Sequence, residues 1–393
     1  LWTWRDSVAE VGAVAARVHL IQGRAATVQV EMDWRGPARA QLAWLAGSEA
    51  FAKAMTLPAE TTPVQLGDGQ GYVEGRFRLP AVQVRGLERG RHRGLRCGLE
   101  RNSRLRLWRL RQWRDLACEF AVYPDPGPGR GQLLRSPVFR ALAAATLLPQ
   151  AGQGREFERL RDYQAGDTYG DVSWKATARR AYPVTRLYQW ERQQEIHFVV
   201  DHSRLSRGAL ELFIETALVG ASAASDMGDR FGLLTASADI TGWLPAGSGR
   251  AHFHAVRERL LRLEASPAGA DRMRLCAGLS QRLRRRCYIL LLANLTERGQ
   301  GEEFLRAAGR ISRTHVVLAQ SVQPAEARPL AEATASNLEG VYTALAGDTE
   351  FGRLETLRRR LRQAGIEFRA TPAAQFLGTA LGAYLNAKRE QRL

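Results

Sequence analysis

Oxygen-bearing side chains gather at the end of one short apolar run. After Ile196–Val200 come Asp201, His202, Ser203, Arg204, Leu205 and Ser206. A carboxylate with hydroxyls close behind it is the kind of ligand set that a hard divalent cation such as Mg²⁺ takes. A second apolar run, Tyr288 to Ala293, ends in Asn294, Leu295 and Thr296. Together, Asp201, Ser203 and Asn294 could serve a metal-dependent hydrolase, but no general base stands at a diagnostic spacing from them. His252 and His254 are two residues apart and point to different sides of a helix, and the other five histidines are scattered, so no zinc-type cluster is visible. Cys97, Cys118, Cys276 and Cys287 lack C-x-x-C spacing, which leaves free thiols in a reducing compartment as the expectation.

These residues need elements to position them, and the length of 393 residues predicts more than one domain. From Ala15 to about Tyr123 apolar and polar residues alternate, as in Thr27–Met32 and Gly75–Leu79, so 1–123 reads as an antiparallel, sandwich-like β domain. Pro124-Asp125-Pro126-Gly127-Pro128-Gly129 breaks regular structure and opens a segment over 124–195 that includes a helix at Pro137–Leu148. From 196 to 393 short apolar strands alternate with helices, the pattern of a doubly wound parallel sheet. The strands are Ile196–Val200, Phe231–Thr235, Tyr288–Ala293, His315–Ala319 and Ile366–Ala370. The helices are Ala209–Met227, Phe253–Leu263, Leu275–Leu283, Glu303–Ile311, Arg353–Ala364 and Ala373–Asn386.

The formal net charge is +17, and 54 of the 57 basic residues are Arg. Such a balance favours anionic partners: nucleic acid, an anionic membrane surface or an acidic protein. Eleven arginines fall between Arg85 and Arg114, where Leu105, Leu107 and Trp108 interleave with Arg104, Arg106, Arg109 and Arg111. A nucleic-acid-binding module is one reading of this stretch. The other is an amphipathic strand that turns Arg104 and Arg106 to water and its leucines to the core. At the start, Trp2, Trp4 and Arg5 resemble the residues that flank a membrane span, which makes Leu1 a candidate truncation point; equally, Trp2 and Trp4 could alternate onto one face of a first strand.

Between the two halves lies a run dense in opposite charges. Arg155, Arg159, Arg161 and Arg179 are interspersed with Glu156, Glu158, Asp162, Asp167 and Asp171, which suits a mutual ion-pair network better than a catalytic pair. In order, Glu156-Phe157, Leu160-Arg161, Tyr163, Gly166-Asp167, Trp174-Lys175 and Arg179 resemble the signature of the bacterial family known as domain of unknown function 58. Arg89-Gly90-Arg91-His92 and Val122-Tyr123-Pro124 extend the resemblance, to roughly 85–390. Gly170 and Ser173 depart from it, standing where an Arg and an acidic or related polar residue are usual.

The resemblance implies a von Willebrand factor A-like α/β domain in a membrane-anchored protein of the inner membrane whose soluble part faces the cytoplasm. It also implies a MoxR-type AAA ATPase as partner, with no enzymatic activity and no cofactor. In metal-binding A domains the strand end reads D-x-S-x-S. Asp201 and Ser203 match that pattern, whereas Leu205 takes the second serine's place and Ser206 falls one residue late. Asn294 stands where an acid belongs, and no threonine lies around Asp271–Arg274. With Arg204 next to Ser203, a degenerate site without Mg²⁺ is the expectation. The signature loop is expected to be scaffold, held against the A domain by Asp167, Trp174 and Arg179 with Trp174 buried; the alternative is an exposed docking surface.

Overall fold

The computed structural model describes residues 10–13, 16–28, 31–37, 39–58, 62–65, 72–78, 82–102, 109–116, 118–125, 131, 151–152, 156–164, 167–189, 194–205, 207–297, 299–332 and 337–390. The helix expected at Pro137–Leu148, the Arg104–Trp108 stretch, and Trp2, Trp4 and Arg5 lie outside them. The chain divides into two compact units, Leu1–Asp125 and Pro126–Leu393.

The first unit is built mainly of short strands. Leu95–Asn102 pairs antiparallel with both Arg39–Ala46 and Arg109–Asp115. Leu20, Trp44, Phe51, Leu95, Phe120 and Val122 form its core. One pairing departs from the antiparallel expectation: Cys118–Tyr123 runs parallel to Ala16–Ile21. The two strands lie near opposite ends of the unit, so no tight turn constrains their direction. Within the arginine-rich stretch, Arg93 pairs with Glu119 at 3.1 Å, Arg96 pairs with Asp115 at 2.5 Å, and Arg85 donates to the Gly23 carbonyl at 2.6 Å.

The second unit begins with a small sheet in which Glu156–Asp162 and Val184–Gln189 pair antiparallel, with a bulge between Phe157 and Arg159. A six-stranded sheet follows, made of β1 (Glu195–Asp201), β2 (Arg230–Ala236), β3 (Ile240–Gly247), β4 (Tyr288–Leu292), β5 (Val316–Val322) and β6 (Ile366–Thr371). Its order is β3-β2-β1-β4-β5-β6, with every pairing parallel except β2 with β3. Continuous apolar runs such as Tyr288–Leu292 are buried throughout because both faces of the sheet are covered.

One face packs on α1 (Arg207–Asp226), α2 (Gly249–Leu261) and α7 (Ala373–Arg389). The other packs on α3 (Arg272–Arg282), α4 (Gln300–Ala307), α5 (Ile311–Thr314) and α6 (Leu338–Gln363). By length and composition α1 could cross a membrane. Its Leu210, Phe213, Ile214 and Leu218 are instead buried in this core. At the far end of the same layer, buried Asp229 accepts from Tyr384 Oη and Lys388 Nζ, each at 2.5 Å, and so clasps α7 to the turn before β2.

From β1 the chain passes to β2 on one side, and the strands after β4 extend on the other. The carboxyl ends of β1 and β4 therefore flank the point where the strand order reverses, the usual place for a site in an open α/β sheet.

Candidate functional site: the carboxyl edge of the sheet

Asp201 closes β1 and is 1% exposed. Its Oδ1 accepts from the Ser203 backbone N–H at 3.0 Å and from the Ser203 hydroxyl at 2.6 Å. Its Oδ2 accepts from Arg272 Nη1 at 2.5 Å. The turn that brings Ser203 back onto Asp201 is held on both sides. His202 N–H donates to the Ala236 carbonyl, Ser266 N–H to the His202 carbonyl, and Arg204 N–H to the Ser266 carbonyl. Arg204 itself has φ +43, a left-handed conformation that turns the chain away from the sheet edge.

His202 is a strut of the same turn. Its Nδ1 lies 2.8 Å from the Glu264 carbonyl, which can only accept, so Nδ1 carries the proton. In the neutral ring Nε2 then accepts from the Thr241 hydroxyl at 2.9 Å.

Arg272 is the first residue of α3 and is 1% exposed, which places it among the largest fully buried side chains. Three elements address its flat guanidinium. Nη1 donates to Asp201, Nη2 to the Asn294 carbonyl at 3.4 Å, and Nε to Gln300 Oε1 at 3.2 Å. Its backbone N–H faces Glu303 Oε1 at 3.3 Å, while Asp271 caps the helix by accepting from Arg274 N–H at 2.9 Å. A cation in the first turn opposes the helix dipole by about 0.3–1 kcal/mol. Pairing with a buried carboxylate outweighs that, since breaking such a pair costs about 3–5 kcal/mol.

The positions singled out in the sequence separate into two groups. Asp201 and Ser203 come together as expected. Leu205 is half-buried and packs against the apolar core under α1. The Asn294 side chain turns into its own loop, with Thr296 Oγ1 donating to its Oδ1 at 2.7 Å and its Nδ2 donating to Glu297 at 3.0 Å. Only its backbone carbonyl reaches the site. The local positive charge was expected from Arg204, but Arg204 is exposed and lies against Gly269; Arg272 supplies it instead. Arg272, Gln300 and Glu303 were missed because their partners are 71, 28 and 31 residues away along the chain. An Arg directly after a capping Asp at a helix start, against the dipole, was the one available signal.

Among the described residues no group of three or more His, Cys, Asp or Glu is placed to hold a metal ion. Burial pushes the thiols of Cys97, Cys276 and Cys287 up to about 12, so they stay protonated and inert. A cavity of about 640 Å³ runs along β6 and α6, where Arg358 and Arg369 on its wall pair with Glu355 and Glu367.

In the signature segment Asp167 is the organising group. It accepts from Arg161 Nη2 at 2.6 Å and from the Gln164 backbone N–H at 3.0 Å. The Gln164 bond, with the bond and positive charge of Arg161, holds its carboxyl below the usual range against the opposing effect of burial. Of the expected ion-pair network, the Arg161–Asp167 pair is seen among the described side chains, which do not include those of Arg155, Glu156, Glu158 and Arg159. Leu160 and Tyr163 are half-buried beside it. Gly166 and the side chains of Glu156 and Phe157 lie outside the described residues.

The buried-anchor expectation for Trp174 is corrected. Trp174 begins a seven-residue helix that buries none of its residues, and it is 66% exposed, with Lys175 and Arg179 exposed alongside it. The buried residues next to that helix are Val172, Ser173 and Val184, with the Ser173 N–H donating to the Val184 carbonyl.

A family model described as "Protein of unknown function DUF58" matches residues 159–370, more than half of the chain. The protein belongs to the DUF58 family. Proteins named "Uncharacterized protein Rv1480" of Mycobacterium tuberculosis and "Uncharacterized protein Mb1516" of Mycobacterium bovis are each 33% identical to it over 124 residues. That alignment covers 30% of this chain and 39% of each relative. Among solved structures, this DUF58 chain is similar to the conserved hypothetical protein BatB from Bacteroides thetaiotaomicron (14% identity, TM-score 0.31, 50% of this chain and 99% of that one). It is also similar to an aerotolerance-related membrane protein from Bacteroides fragilis (14% identity, TM-score 0.29, 49% and 98%).

Proposed function

We propose that this DUF58 protein is a non-enzymatic docking protein whose second unit is a von Willebrand factor A-like platform for a MoxR-type AAA ATPase. In full length it is anchored in the inner membrane with this part in the cytoplasm. The family resemblance carries the choice of partner and compartment.

One observation carries the docking role. The carboxyl-terminal half of α6 buries Leu354, Leu357 and Leu361 against the sheet, as an amphipathic helix should. Its amino-terminal half presents Leu338, Val341, Tyr342 and Leu345 at 71%, 43%, 66% and 47% exposure. Their i, i+3, i+4, i+7 spacing puts them on one stripe, the arrangement of a helix that inserts into a partner's groove. Glu339 beside the stripe and Asp348 beyond it favour a groove with a basic rim.

The test is capture of the purified MoxR-type ATPase encoded in the same genome by the full chain. Leu338→Ser with Tyr342→Ala should abolish capture without changing the melting temperature, because both side chains are already in water. Undiminished capture by the folded double variant would refute the stripe as the docking face.

A further inference from the structure

We propose that the Arg272 guanidinium is the resident cation of the Asp201 site, standing where metal-binding A domains hold Mg²⁺. The site then binds no divalent metal, and its carboxylate is committed to joining three elements of the fold.

The donor set leads to this assignment. Asp201 Oδ2, the carboxylate oxygen that Ser203 leaves free, has Arg272 Nη1 at 2.5 Å. A Mg²⁺ or Ca²⁺ ion would sit at about 2.0–2.6 Å from that oxygen. Guanidinium and ion would thus compete for one place, and at a neighbouring place the ion would face a fixed positive charge that Arg cannot shed. The remaining oxygen, Oδ1, already takes two donors from Ser203. Leu205 brings no oxygen, and Asn294 keeps its side-chain oxygen for Thr296.

The arginine is held as a structural ion would be. Its three donor directions reach the end of β1, the loop after β4, and α4. With 1% of its surface exposed, it cannot offer a coordination position to a partner's carboxylate. Recognition therefore has to use other surfaces. This inference is independent of the docking proposal, since the site could hold its own cation whatever α6 binds.

The experiment uses the full chain and two probes, Mn²⁺ followed by electron paramagnetic resonance and guanidinium ion added at low millimolar concentration. Wild type should leave Mn²⁺ free and show the same melting temperature with Mn²⁺ or EDTA. Arg272→Ala should melt several degrees lower. It should recover part of that loss with guanidinium, or bind Mn²⁺ at least tenfold more tightly than wild type, in a manner abolished by adding Asp201→Asn.

Stoichiometric Mn²⁺ binding by wild type that Asp201→Asn removes would overturn the assignment. So would an Arg272→Ala protein that responds to neither probe. If Arg272→Ala does not fold, Arg272→Lys and Arg272→Met decide. A Lys variant clearly more stable than the Met variant supports a required cation, and equal stability refutes it.

Discussion

The Asp201–Arg272 pair permits a quantitative test through a double-mutant cycle. Asp201→Asn leaves a guanidinium that is 1% exposed without a counter-charge, at the positive end of a helix. Arg272→Met leaves a carboxylate that is equally buried, with only the two Ser203 donors. Each single change should cost about 3–5 kcal/mol, because an unpaired buried charge is far worse than no charge. Asp201→Asn combined with Arg272→Met removes both charges. What remains is the loss of the hydrogen bonds to Asn294 and Gln300, about 1–3 kcal/mol.

The singles should therefore sum to well above the double, with a coupling of at least about 2 kcal/mol. Calorimetry of the full chain is the assay, and a drop of roughly 6–20 °C is expected for either single change at about 2–4 °C per kcal/mol. A double variant that equals the sum of the singles within about 0.5 kcal/mol would refute the reasoning, because additivity means the two groups do not sense each other.

Trp174→Ala should shift stability by no more than about 0.5 kcal/mol, the usual range for a surface change, whereas Asp167→Ala should lower the melting temperature clearly by releasing Arg161 and the Gln164 N–H. Equal melting of wild type and Asp167→Ala would remove the clasp. The pH dependence has a defined sign. Burial pushes the His315 pKa down, so the fold prefers the neutral ring, and the resulting stability is full above the ordinary His range near about 6.5 and is lost as pH falls below it. Glu195, held low chiefly by its hydrogen bond with His197, loses its contribution only below the ordinary Glu range near about 4.3. His315→Gln should flatten the decline in melting temperature between pH 7 and 5 and leave the steeper loss below pH 4.5; parallel curves for the two proteins would contradict this.

Much of the second unit is legible along the chain because its signals are local. The central strands β1, β2, β4 and β5 are nearly continuous apolar runs, β6 at the edge alternates Ile366 and Phe368 with Glu367 and Arg369, and each core helix keeps an apolar stripe, so these elements fall where composition places them. The edge strand β3 escaped notice. It is largely half-buried, pairs with a single neighbour and contains Pro245, so neither a continuous apolar run nor clean alternation marks it. The first half of α6 also escaped, since Leu338, Val341, Tyr342 and Leu345 carry a helical period with no core to face, where Asn337 caps the start by accepting from Gly340 N–H at 2.7 Å.

The site divides in the same way. Asp201 and Ser203 are two residues apart, and the turn that joins them can be read from that spacing. Trp174 looked like an anchor because tryptophan usually is one, but its place on a short helix with no buried residue is settled by what packs beneath that helix. Arg272 looked like one more arginine among 54. Its role arises from a contact spanning 71 residues, made when α3 starts beneath the ends of β1 and β4. Residue type shows which charge a side chain brings, whereas only the folded chain decides which carboxylate it meets out of water, and there that pairing governs the energy.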